Sequence, residues 1–150
     1  MQRLWYPPHL LHASGSGLGI KRAFHEKIGG FDETLSVLED TDYWVRLQLA
    51  GVKFHFVPNA VVHDRHRRSF GGMYRQARLW AKDNVLLYKR YGAAGVKASQ
   101  PWGQYLGDWK SLLQSLPHTR GRGRRAVWVR RLGRQIGRLQ GSLEHRVPPV

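Results

Sequence analysis

Cysteine is absent from the chain. That excludes disulfide staples, thiolate metal sites and a cysteine nucleophile, and it permits a reducing compartment such as the cytoplasm. Acids are scarce, ten Asp and Glu against 25 Lys and Arg, so the formal charge is +15 at pH 7. Such a surplus attracts polyanions: nucleic acid, anionic lipid headgroups or phosphorylated small molecules. Long apolar runs are missing too. No stretch reaches the ~18 to 20 residues of a membrane-spanning helix. The opening MQRLWYPPHLLHAS is broken by Pro7 and Pro8 where a secretory signal needs an unbroken apolar segment. The expectation is a soluble, cytoplasmic chain, or one peripheral at a membrane. What is present suffices for a folded body. Of 150 residues, 41% are hydrophobic and 11% aromatic, while 17 Gly and a mean hydropathy of -0.50 imply an added polar portion.

The few acids are not scattered. Five of the ten, Asp32, Glu33, Glu39, Asp40 and Asp42, fall within GGFDETLSVLEDTDYW, Gly29 to Trp44. Clustered carboxylates repel one another, so the cluster marks either structural punctuation or a site.

Around it the pattern reads as alternating short elements. SGSGLGI suggests a strand, with Gly15 and Gly17 where backbone approaches backbone or ligand closely. KRAFHEKIGG reads as a helix burying Phe24 and Ile28 and stopped by Gly29 or Gly30. DTDYWVRLQLAG reads as a second helix, with acids in its first turn, Tyr43, Trp44, Leu47 and Ala50 at helical spacing, and Gly51 beyond its end. KFHFVP and AVVH read as strands around a turn at Pro58 and Asn59, and DRHRRSFGG as a basic loop. The longest central helix is predicted from Met73 to Tyr91, with Met73, Ala77, Trp80, Leu87 and Tyr91 as its apolar stripe.

Composition shifts near Pro101. A Gly and Arg linker is expected over 96–125 and a basic amphipathic helix over 126–145. In that helix Val129, Leu132, Ile136, Leu139 and Leu143 form a stripe among Arg130, Arg131, Arg134 and Arg138. Gly133, Gly137 and Gly141 recur every fourth residue, each costing about 1 kcal/mol against Ala, so the helix needs a partner or a membrane surface.

The run GGFDE, then EDTDYWVRLQLAG, then FVPNAVVHDRHRRS, resembles the second half of the catalytic domain of family 2 glycosyltransferases, over about Ser14 to Gly95. The resemblance implies an α/β fold. It would be a partial GT-A domain over 1–95 without the nucleotide-binding half, followed by a helical tail. It implies hexosyl transfer with inversion from a nucleotide-diphosphate sugar to a saccharide or lipid-linked acceptor. Asp40 is then the general base and Glu39 orients it or touches the acceptor, while Asp32, Trp44, Arg65 and Arg68 contact substrate. His63 is the implied ligand of a divalent cation, Mg2+ or Mn2+, which neutralises charge on the leaving diphosphate. An ionised carboxylate suits the base, and like-charged neighbours raise its proton affinity.

Two departures bear on the reading. No DxD motif precedes Gly29, and the DTD of Asp40 to Asp42 sits on the acceptor side, so a truncated or split enzyme is expected. RQARLW resembles the QxxRW of processive relatives with its Arg one residue early, which gives polymerisation no support. Simpler readings stand beside these. Glu39 and Asp40 suit a helix N-terminus, His63 suits a solvent-facing strand end, and the tail suits a docked helix. The competing function is a non-catalytic basic module on anionic membrane or nucleic acid. The tail lacks the interleaved aromatics of a stacking platform, so no specific nucleic acid is expected.

Overall fold

The computed structural model describes residues 2–3, 11–12, 14–65, 67–95 and 101–150. A minimal antiparallel pair, β1 (Gln2–Arg3) and β2 (Leu11–His12), is followed by helices α1 (Arg22–Lys27), α2 (Glu39–Leu49), α3 (Phe70–Tyr91), α4 (Pro101–Ser115) and α5 (Arg122–His145). The chain divides into two compact units, residues 1–65 and 66–150. No helix among the described residues is long and apolar enough to cross a membrane.

The first unit is organised by α2. Glu39, Asp40 and Asp42 occupy its first turn, where the helix macrodipole favours anions. Its other face buries Tyr43, Trp44, Val45 and Leu47. Gly29 and Gly30, at φ 78° and 73°, turn the chain out of α1 in a conformation only glycine adopts without strain. Arg46 holds this turn against α2. Its Nη1 donates to the Ile28 carbonyl at 2.8 Å and its Nη2 to that of Gly30 at 2.7 Å, while its Nε pairs with fully buried Asp42 at 2.7 Å. Asp42 is therefore a structural acid. Phe31 stacks on Tyr43 at 4.4 Å between centroids, and His25 Nδ1 lies 2.7 Å from the Tyr43 hydroxyl. Burial raises the Tyr43 pKa, with Arg46 opposing more weakly, so the phenol stays protonated. Gln48 meets β2 as another strand would, its amide accepting from Leu11 N at 2.9 Å and donating to Leu11 O at 2.7 Å.

The regular elements of the second unit, among the described residues, are all helices. Ser69 caps α3 by accepting from Gly72 N at 3.1 Å. The α3–α5 contact runs along glycines. A Cβ on Gly133 would lie 2.6 Å from the Tyr74 carbonyl, one on Gly141 2.7 Å from that of Lys82, and one on Gly137 would overlap that of Arg78. The face of α5 pressed on α3 is thus its small-residue face. Leu139 and Leu143 of the apolar stripe are 36% and 72% exposed. Helix α4, inside the stretch read as a linker, buries Tyr105 and Leu112 and is tied to α5 by Trp128 Nε1 on the Leu112 carbonyl at 3.0 Å. Arg138, 1% exposed, pairs with Asp108 at 2.7 Å, donates to the Pro149 carbonyl at 3.0 Å and lies over the Tyr105 ring.

The α/β sheet implied by the resemblance to GT-A enzymes is contradicted: the architecture is helical, and among the described residues β1–β2 is the only ladder. Gly15–Gly17 is a turn of 3-10 helix, closed by Gly17 N on Ser14 O at 2.9 Å. Residues 52–57 and 60–65 run, among the described residues, without ladder partners around a turn at Pro58 and Asn59. A strand is stable only with a neighbour for its backbone and a layer for its apolar face. Among the described residues these segments have no such backbone neighbour, and apart from Phe54 against Trp44 their apolar side chains are poorly covered, Phe56 being 70%, Val57 58%, Val61 71% and Val62 52% exposed.

Candidate active site

Asp40 is held from both carboxylate oxygens. Its Oδ2 accepts from Gly15 N at 2.8 Å and its Oδ1 from Thr41 N at 2.7 Å, with the Thr41 hydroxyl at 3.3 Å. A Cβ on Gly15 would stand 3.4 Å from Asp40 Cβ, so the turn and the acid are in close contact. The carboxylate is half-buried, so it is positioned by the protein while its remaining lone pairs stay reachable. Leu38, just before the acidic pair, has φ 63°. That left-handed conformation costs a branched residue about 1 kcal/mol, a strain located at the entry to α2. Glu39 is exposed beside it.

Trp44 follows Asp40 by one helical turn. It is 4% exposed and its ring meets Phe54 with centroids 4.3 Å apart. Its indole Nε1 is buried without a hydrogen-bond partner, an unusual state for a donor. Trp44, Gly17, Leu18, Phe24, Phe54 and His55 line a cavity of about 480 Å³, with Lys21 and Lys53 also on its wall. Asp40 is thereby linked to the cavity twice, through Gly15 at the Gly17 turn and along α2 through Trp44.

Of the other candidates in the first unit, Asp32, His63 and Arg65 do not line this cavity. Asp32 Oδ1 accepts from Thr34 N at 3.0 Å and from the Thr34 hydroxyl at 2.6 Å, so the carboxylate builds the turn that starts the loop. His63 and Arg65 are exposed in the unpaired segment that closes the first unit, and Arg68 is exposed in the second unit. Among the described residues no three His, Asp or Glu side chains lie close enough to hold a metal ion. No such cluster therefore includes His63 among the described residues. Two contributors were missed by sequence reasoning: the Gly15 amide and the cavity behind Trp44. The small residues of SGSG signalled a close approach without naming Asp40 as the group approached.

The pattern of the family described as Glycosyl transferase family group 2 matches residues 7–131, most of both units. The chain belongs to glycosyltransferase family 2. This family 2 chain is also similar to Probable glycosyltransferase YdaM of Bacillus subtilis (strain 168), 30% identical over 83 residues, which are 55% of the chain and 20% of the relative. The chain thus spans about a fifth of that relative's length. No solved structure matches it.

Proposed function

We propose that the first unit of this family 2 chain is the acceptor side of a sugar-transfer site that works with inversion, with Asp40 as general base. An acceptor hydroxyl attacks the anomeric carbon from the face opposite the leaving group. Its proton passes to the Asp40 carboxylate, the new C–O bond forms, and the old bond breaks with its electron pair leaving on the nucleoside diphosphate. The observation that carries the reading is the Asp40 carboxylate itself, fixed by Gly15 N and Thr41 N, with Gly17 two residues beyond Gly15 and Trp44 one helical turn beyond Asp40 both lining the cavity. A base held in one orientation needs no reorganisation as the proton moves. Glu39, exposed at the same helix start, meets the acceptor from its outer side. The apolar walls, Trp44 and Phe54 among them, suit the apolar face of a saccharide ring. The surface for the nucleotide diphosphate is assigned to further polypeptide, in keeping with the fraction of the relative that the chain spans.

The test is sugar transfer from a panel of UDP- and GDP-sugars, by the chain alone and with a nucleotide-binding half of a family 2 enzyme added in trans. Asp40→Asn keeps the shape and an accepting oxygen but removes the base, and should lower turnover by roughly 10²-fold or more with little change in KM. Transfer undiminished in Asp40→Asn would remove that residue from its role.

A further inference from the structure

The charge surplus is not spread over the chain. Residues 1–65 hold seven Lys and Arg and seven Asp and Glu, whereas 66–150 hold eighteen against three, so the second unit carries the whole +15. The same unit leaves an apolar stripe uncovered. On α4, Trp102, Leu106 and Leu113 recur at helical spacing and are 54%, 63% and 61% exposed, with Trp109 half-buried between them and Leu116, 48% exposed, just beyond the helix end. The buried face of α4, Tyr105 and Leu112, is a separate row, so the stripe is not part of the packed interior. Lys110 adjoins it, and exposed Arg120, Arg122, Arg124 and Arg125 begin four residues after Leu116.

We propose that this face of α4 is an interfacial membrane-binding surface, with Trp102, Leu106 and Leu113 entering the headgroup and acyl boundary of an anionic bilayer. The neighbouring cations would pair with lipid phosphates. Each alternative occupant leaves one half of the observation unused. A second copy of the chain would bring two units of charge +15 together, which like-charge repulsion opposes. Nucleic acid would engage the cations but gives Leu106 and Leu113 nothing to bury against. A bilayer with acidic lipids takes both, since buried apolar area and attraction to anionic headgroups add in interfacial helices. A tryptophan at one end of the stripe suits the boundary, where an indole keeps its apolar body in lipid and its N–H in the headgroup layer.

The test is co-sedimentation of the full 150-residue chain with vesicles of phosphatidylcholine containing about one third phosphatidylglycerol, beside vesicles of phosphatidylcholine alone. Binding is expected to the acidic vesicles, to weaken as salt rises, and to fall roughly tenfold or more in W102A/L106S/L113S. The control Val61→Ser, 71% exposed and in the first unit, should bind as the parent does. Circular dichroism checks that the triple variant keeps its helices, and L106S alone should show a smaller loss in the same direction. Absence of binding to the acidic vesicles would overturn the proposal, as would undiminished binding by the folded triple variant. Sedimentation showing a dimer that the triple variant dissolves would assign the stripe to a second copy. Retention by a DNA or RNA oligonucleotide tighter than by the vesicles, lost in the same variant, would assign it to nucleic acid.

Discussion

Arg138 is enclosed by α4, α5 and the C-terminal residues, with Asp108, the Pro149 carbonyl and the Tyr105 ring around one guanidinium. Its spacing in the sequence matches Arg130, Arg131 and Arg134, yet it is the one of the four that is fully buried. Truncating Arg138 empties a fully buried volume and leaves the Pro149 carbonyl without its donor, so Arg138→Ala should destabilise the chain by about 3 kcal/mol. Arg138→Met should cost clearly less, because it refills the volume and Asp108, 38% exposed, can rehydrate. Urea unfolding of both variants checks the order. Asp40 makes the opposite case: its candidacy as the base came from a resemblance carried by the residues that flank it in sequence, GGFDE and EDTDYW. Its fixed orientation was not legible, since Gly15 lies 25 residues away.

Helix α5 shows how an element is chosen by its partner. The three glycines weaken an isolated helix, and the apolar stripe beside them is the face that periodicity singles out for burial. In the fold the glycine face meets α3 instead, because removing side chains there lets two backbones approach until carbonyls of α3 fill the space. Gly137→Ala should therefore destabilise by about 2 kcal/mol, the overlap with the Arg78 carbonyl outweighing the gain in helix propensity. Gly107→Ala in α4, where a Cβ would meet nothing within 4 Å, should stabilise by about 0.5 to 1 kcal/mol. Thermal denaturation of the pair compares the two signs directly. The extended segments 52–57 and 60–65 are the counterpart: their composition favours strands, and among the described residues no neighbouring backbone is there to make them so.

Across the whole chain, a neutral unit and a strongly cationic one meet near Arg65 and His66. The join contains Arg65, Arg67 and Arg68, all exposed and outside any helix or strand. Trypsin under native conditions should cut there first and leave two fragments near residues 1–67 and 68–150, each then digested more slowly. Mass spectrometry of early time points tests this; a first cut within α3 or α5 would contradict the division. The family match runs through both units, so the partition of charge lies within one family-related chain rather than at a junction with unrelated sequence.

Family, the acidic cluster, the helix starts and stops at Gly29, Gly30 and Gly51, and the overall cation surplus could all be read from the order of residues. Each depends on spacings of a few positions or on a simple count. Packing settled the rest. Whether 52–57 joined a sheet, which face of α5 was buried, that Asp42 and Arg138 were structural charges, and that Gly15 held Asp40 all depended on groups brought together from distant positions. Local patterns fix which conformations are cheap, whereas the energy of a ladder, a close helix contact or a buried ion pair exists only once its second partner is in place.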